Sequence, residues 1–446
     1  MRTLARLVLV SVVFLVAAAF VSSSWAQAQD GPPASPDASA GTPAAGAAKT
    51  ADDYVAEIRA AYTPENHAYV AERRRLAFVD PLVSILVALL LLATGLSARF
   101  RDLAERVSRR RYLQVLVYLA LFSVVTWVLG LPLEWYRDYA LEHRFGLSTQ
   151  SFGAWFGDSA KGVALGVLMF GVLPVMWLVY KALKSSPRRW WLRLALGTVP
   201  FMMLLMLLQP LVIEPVFNKF KPLANVELRN RIVALAERAE IPGRKVLEAD
   251  KSKQTTKYNA YVSGFGASQR IVLWDTTLKG LQEDEILCVM AHEMGHYKLG
   301  HIWMLIVFTG VLGFGVFWVA ARLVNGLTAR YGPRWGFREV GDLASLPLLL
   351  AVLSLVMFAI QPATNSFSRW MERDSDTFGL EVTQANDAAA RAFIKLGSQN
   401  KSDPEPSALI EAWLYTHPPL AERVRYAIEY RPWESGQPNR KFKPKR

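Results

Sequence analysis

A single cysteine, Cys288, excludes an intramolecular disulfide framework. It stands one helical turn before His292 and reads as a small buried side chain rather than a ligand. No internal repeat of fixed period runs through the 446 residues, so nothing suggests a chain of stacked units. Charge is missing from six long blocks, near 81–98, 112–133, 162–180, 194–213, 302–321 and 343–360. Each approaches the roughly 20 residues an α-helix needs to cross a bilayer. Buried helices of a soluble protein are also apolar, but six such blocks with Arg-rich flanks define a polytopic membrane protein.

Acidic residues are outnumbered, 38 against 51 Lys and Arg, which leaves a net charge of +13. Its distribution argues against a nucleic-acid partner. The cations gather beside the spans: Arg99, Arg101, Arg106 and Arg109 to Arg111, then Lys181, Lys184, Arg188 and Arg189, then Arg322, Arg330, Arg334 and Arg338. Orientation in a lipid bilayer produces that pattern. The closing "NRKFKPKR" reads as a solvated, disordered basic tail over 432–446.

The chain opens on a basic n-region, an apolar run over about 7–25 and a small-x-small site at Ala26-Gln27-Ala28. Residues 1–28 are therefore a signal peptide or a first transmembrane helix. An Ala/Pro-rich linker follows at 29–50, then an amphipathic polar helix at 51–80 and a four-span membrane bundle at 81–213. Between the fourth and fifth blocks, 214–301 carries a helical segment and a β-hairpin formed by "YNAYVSGFG" and "RIVLWDTTL". Two further spans occupy 302–362, and 363–431 is helical by periodicity. The two polar regions together are large enough for an α+β domain built against the bundle.

The chemistry concentrates in "CVMAHEMGHYKLGH" (288–301). On a helix, His292 and His296 project from one face and can share a metal ion. Imidazole suits Zn²⁺, and three protein ligands leave a position where a water is acidified. Glu293, adjacent on the helix, is placed to take that water's proton and pass it to a leaving amine. His301 would lie about 140° around a continuous helix from His296 and about 180° from His292. It is therefore expected to point away from the pair unless the helix breaks. A better third ligand stands in "SFSRWMERDSDTFGL": Glu372 and Asp376 share a helix face, whereas Asp374 does not. Glu372 can complete a His₂Glu site, and Asp376 can accept the ring N–H of a ligating histidine.

Six motifs in order, "LEHRFGLSTQSFGAWFGDSAKG", "IEPVFNKFKPL", "NAYVSGFG" with "RIVLWDTTL", "HEMGHYKLGH", "SRWMERDSD" and "THPPLAERV", resemble the type I CAAX prenyl protease family of integral-membrane zinc endopeptidases. The resemblance covers about 112–430. It implies about seven transmembrane helices forming a barrel around a water-filled chamber, one zinc ion per chain, and peptide or membrane-protein substrates. By resemblance His292, His296 and Glu372 are the ligands, Glu293 the base, and Asp376 an acid with a proton-donor role. "NAYVSG" is similar to an exposed strand beside the zinc, where Asn259, Ala260 and Tyr261 would bind an extended peptide. His417 and Arg423 match positions that donate to an oxyanion or bind substrate. The segment before HExxH is short, as in bacterial relatives, and the N-terminal segment matches poorly, so the zinc-peptidase chemistry transfers more safely than a prenylated substrate.

A membrane quality-control chaperone with a structural zinc clasp is the rival reading; it would need a closed four-ligand site. A metal-ion transporter would need ionisable residues within several spans. Arg2 and Arg6 place the N-terminus inside, so the loops 99–111, 181–189 and 322–342 also fall inside. The zinc helix is then expected on the outer face of a cell inner membrane, in a periplasm.

Overall fold

Thr63 follows the first polar helix, Ala51–Ala61, and starts the next. Its hydroxyl accepts the Asn66 N–H and Pro64 occupies the first turn, an N-terminal signal strong enough to begin a helix outright. A computed structural model describes residues 49–172, 175–241, 245–264 and 269–443. In it the helix begun by Pro64 runs without interruption to Ala93. The amphipathic segment expected over 51–80 is thus two helices, and its second half is already the first span. Pro81 lies inside that span, but both Pro81 and Ala77, whose carbonyl the ring leaves unbonded, line an internal cavity. Irregular hydrogen bonding at membrane depth is tolerated where it faces such a cavity.

Five helical stretches are long and apolar enough to cross a membrane: Pro64–Ala93, Arg111–Arg144, Trp190–Phe217, His301–Trp335 and Leu343–Thr383. Phe152–Gly171 and Val175–Ser185, inclined at 51°, make a sixth if taken as one span. The expected seventh, within 1–28, lies outside the described residues, as does most of the 29–50 linker. Lipid-side stripes are apolar: Val307, Val311, Phe314 and Trp318 are exposed along one face of His301–Tyr331. The opposite face buries Val316, Phe317, Ala320 and Val324 against Trp190, Leu194, Phe201 and Leu349.

The last long helix, Leu346–Thr383, has 38 residues and is about 57 Å long at 1.5 Å per residue. Roughly 30 Å of this suffices for the hydrocarbon core. The remainder carries Glu372 and Asp376 out of the span without a break, so the boundary expected at 362/363 falls inside one rod.

Against the HExxH helix, Glu283–Lys298, which itself lies along this rod, packs a four-stranded sheet in the order β1 (Phe220–Pro222), β2 (Val246–Ala249), β4 (Arg270–Trp274), β3 (Ala260–Ser263). The expected hairpin is β3–β4, antiparallel with Ala260 opposite Leu273, and the sequence reading lacked β1 and β2. Strand β3 forms one edge. The loop of "LEHRFGLST" clamps the approach to it: Thr256 N–H donates to Leu147 O at 3.1 Å, and Lys257 reaches buried Glu142 at 2.9 Å. The basic tail is docked rather than disordered over Arg440–Phe442, because the buried Glu381 carboxylate accepts all three backbone N–H groups. Phe442 is buried against Phe378, behind the HExxH helix.

Candidate metal centre

The HExxH helix, Glu283–Lys298, starts with a capping box between Gln282 and Glu285. Two glycines let it lie close to the rod. A Cβ on Gly295 would stand 3.1 Å from Ser375 Cα, and one on Gly379 would stand 3.1 Å from His292 N. Either contact is tighter than side chains ordinarily make, so a larger residue at Gly295 would push His292 and Glu372 apart.

Because the helices approach this closely, His292 Nε2 lies 3.1 Å from Glu372 Oε2 and His296 Nε2 lies 3.3 Å from Glu372 Oε1. The two Nε2 atoms are 3.2 Å apart. Among the described residues, His292, His296 and Glu372 are the group whose ligand atoms converge closely enough to share a metal ion. Glu372 Oε2 is buried and lacks a hydrogen-bond partner, an arrangement that costs free energy unless a cation completes it. Burial opposes a proton on His292, but Asp376 and Glu372 outweigh it and raise its pKa to about 10. Two imidazole nitrogens and a carboxylate with an unpaired buried oxygen form a donor set that fits zinc.

Around the triad the second layer is well ordered. Asp376 Oδ1 accepts from His292 Nδ1 at 2.8 Å, and Arg423 grips both Asp376 oxygens at 2.8 and 2.6 Å. Arg423 therefore engages an acid, in a cavity wall, rather than pointing freely at a substrate. Asp376, with both oxygens accepting, is arranged to orient a histidine; a proton-donor role would need one of those bonds broken. His417 Nε2 stands 3.2 Å from Glu372 Oε2, and burial pushes its pKa down to about 4 against the pull of Glu372. A neutral His417 remains a hydrogen-bond donor at the edge of the site. Glu293 faces the cavity, and burial raises its carboxyl above the ordinary value.

His301 does not point away. Gly300 adopts φ +71°, the helix ends, and His301 opens the next one with Nδ1 3.0 Å from His296 Nδ1. The continuous-helix geometry failed because the left-handed residue turns the chain. Cys288 is buried, with its thiol facing Ala385 O at 3.6 Å and pushed up to about 12 by burial, so it takes no part.

Two residues escaped the sequence reading. Asn365 donates to Ala412 O and Trp413 O, and Arg369 donates to Glu411 O and Tyr415 O, pinning the segment that carries His417. The signal was present: 365, 369, 372 and 376 are spaced 4, 3 and 4, a polar stripe along one helix face.

A cavity of about 1350 Å³ opens from the site into the bundle, reaching Phe122 and Phe170 at one end and His292, Glu293, His417 and Arg423 at the other. Asn259 and Ala260 line it; Tyr261 instead turns its hydroxyl to Glu214, at 3.1 Å. The ionisable lining includes Asp80, Arg137 and Asp138, where Arg137 pairs with both acids.

A helix pair with HExxH on one member and a glutamate on the other, at the mouth of a membrane cavity, defines a membrane metallopeptidase of the His₂Glu class. Residues 222–431 match the model of peptidase family M48, and residues 48–219 match that of the CAAX prenyl protease N-terminal region with five membrane helices. An uncharacterized metalloprotease, YhfN, of Bacillus subtilis is 35% identical over 76% of this chain and 78% of its own. A CAAX prenyl protease 1 homolog of Arabidopsis thaliana is 31% identical over 81% and 86%. The crystal structure of Ste24p from S. mikatae shares the fold, with a TM-score of 0.71 at 24% identity over 96% of this chain and 99% of that one. The chain belongs to peptidase family M48 and is a multi-pass membrane zinc metallopeptidase acting on peptide or protein substrates.

Proposed function

We propose that His292, His296 and Glu372 hold one zinc ion and that Glu293 is the base of a membrane endopeptidase. The carrying observation is the buried Glu372 oxygen without a hydrogen-bond partner, flanked at 3.1–3.2 Å by His292 and His417. Zinc bound there supplies Lewis acidity towards a carbonyl and acidifies a water. Glu293, on the cavity side of the same helix, takes the water's proton and delivers it to the leaving amine. His417 donates to the developing oxyanion. Asp376 and Arg423 act through His292 by fixing its ring. A structural clasp would have no use for a base opening onto a cavity.

Strand β3 offers the peptide a place. Asn259 has its N–H on Thr277 Oγ1 and its C=O accepting from Trp274 N. Antiparallel alternation then turns the main chain of Ala260 and Val262 outward. An extended substrate adds to that edge, with Asn259 contributing its side chain. The substrate is a membrane-anchored peptide whose apolar portion enters the cavity; relatives named CAAX prenyl proteases suggest a lipidated C-terminus as one form of it.

The protein is placed in an inner membrane with its catalytic face periplasmic. Support comes from the basic loops, which meet at one end: Arg101 bonds Gly336 O and Asp342, and Lys184 pairs with Glu339. The test is proteomic. Membrane-protein fragments made by the wild type should vanish when Glu293→Gln replaces it; an unchanged fragment set would overturn the reading.

A further inference from the structure

We infer that His301 is a positioning residue for the metal: its Nδ1 lone pair holds His296 in the one tautomer that can ligate through Nε2. The inference rests on the reading of His292, His296 and Glu372 as the ligand set.

Two imidazole Nδ1 atoms 3.0 Å apart can bond only if one carries the proton and the other a lone pair. If His301 carried it, His296 would bear its own proton on Nε2. That nitrogen faces Glu372 and His292 Nε2, and the proton would occupy the lone pair a metal needs. The opposite assignment leaves Nε2 of His296 free to ligate and puts the second proton on His301 Nε2. His301 Nε2 is buried and has no hydrogen-bond partner among the described residues, so this state leaves an N–H unpaired, a cost that ligation through the freed His296 Nε2 must offset. The Ser375 hydroxyl lies 3.3 Å from His301 Nδ1 and, in this state, can share the same lone pair as a second donor.

The two histidine ligands are consequently oriented by different means. His292 donates to a carboxylate that Arg423 neutralises, whereas His296 donates to a neutral ring that adds no charge to the buried site. An acceptor on the outer nitrogen of a metal-bound histidine fixes ring orientation and raises basicity, and its loss commonly weakens binding about 10–100-fold. His301 can serve only because Gly300, at φ +71°, breaks the helix between them. The spacing H-x₄-H around a left-handed glycine is thus a structural device and not a failed third ligand.

The test is zinc affinity of detergent-purified full-length protein, by competition with a chelator, for the wild type, His301→Leu, His301→Asn and Glu372→Ala. Asparagine presents Oδ1 near the place of histidine Nδ1; leucine presents no acceptor. We expect His301→Leu to bind about 10–100-fold more weakly with an unchanged melting temperature of the metal-free protein, and His301→Asn to recover most of the loss. The cobalt-loaded visible spectrum should shift in His301→Leu and return towards wild type in His301→Asn. Equal affinities for wild type and His301→Leu, with Glu372→Ala unable to bind, would overturn the role of His301 alone. Equal losses in the leucine and asparagine variants would also overturn it. Wild-type affinity in Glu372→Ala would instead overturn the ligand set. Should His301→Leu fail to fold, the asparagine variant decides by itself: near wild-type affinity supports the acceptor role, and a tenfold loss rejects it.

Discussion

Arg423 holds both carboxylate oxygens of Asp376, and Asp376 in turn holds Nδ1 of His292. The guanidinium comes from the helix Leu420–Glu429 and the carboxylate from the long rod, so the bonds tie three separate helices together at His292. Both partners are almost fully buried. Replacing Arg423 with Met strands a buried carboxylate, which typically costs about 3–5 kcal/mol. Asp376→Asn keeps an acceptor but removes the charge; zinc affinity should fall about 10–100-fold with little loss of fold. Chelator competition and thermal melts on the two variants separate these effects. Wild-type affinity in Asp376→Asn would show that the charge of the carboxylate contributes nothing to binding at His292.

Glu293 lies beside His292 but is not one of the three converging groups. Glu293→Gln should therefore bind zinc like the wild type and lose about 10²–10⁴-fold or more in kcat/KM, the range of a general base. Chelation should abolish wild-type hydrolysis, and added zinc should restore it. A quenched-fluorescence peptide assay with parallel metal analysis reads both quantities, and near wild-type turnover in the glutamine variant would remove Glu293 from its role.

Glu381 offers a stability test remote from the chemistry. Its carboxylate is fully buried and accepts from the backbone at Arg440, Lys441 and Phe442 and from the Tyr430 hydroxyl. Ending the chain at Gln437 leaves these acceptors with one partner and uncovers Phe378. Each buried group left unmet costs about 1–3 kcal/mol, so the melting temperature should fall by several degrees. Glu381→Gln should produce a similar fall, because its amide N–H₂ would face backbone donors. A truncated chain that melts with the full-length protein would mean that the tail contributes nothing.

The convergence of His292, His296 and Glu372 was legible because helical spacing fixes which side chains share a face. His292 with His296, and Glu372 with Asp376, needed only a helix of 3.6 residues per turn. Spacing failed at His301, where one residue of positive φ at Gly300 redirects the chain. Strands β1 and β2 are three and four residues long, too short for alternation to stand out from a loop. The closing "NRKFKPKR" holds one aromatic residue, Phe442, amid charge, and only the pocket behind Phe378 explains why it is buried. Long-range partners such as Asn365 with Trp413 O, 48 residues apart, leave no periodic trace at all.

Sidedness is the remaining prediction, and the fold sharpens it. Three segments, 99–111, 181–189 and 322–342, expected as loops but partly helical at Leu96–Val107, Val175–Ser185 and as far as Tyr331, carry the clustered Lys and Arg. They also touch: Arg101 reaches Asp342 at 2.7 Å and Lys184 pairs with Glu339. One face of the membrane therefore meets all three clusters at once, and short basic loops are retained on the cytoplasmic side. The spans leaving that end, Pro64–Ala93 in one direction and Leu343–Thr383 in the other, carry the first polar helix and Glu372 to the opposite face. Long segments translocate largely regardless of their charge, so the basic residues of the catalytic region do not oppose this orientation. Alkaline phosphatase fused after Glu429 should be active, and a fluorescent protein fused there and exported by the same route should be dark. Neutralising Arg109, Arg110 and Arg111 together should weaken the bias and raise the fluorescent fraction. A bright reporter on the unaltered chain would put the catalytic face in the cytoplasm and leave the three basic loops outside.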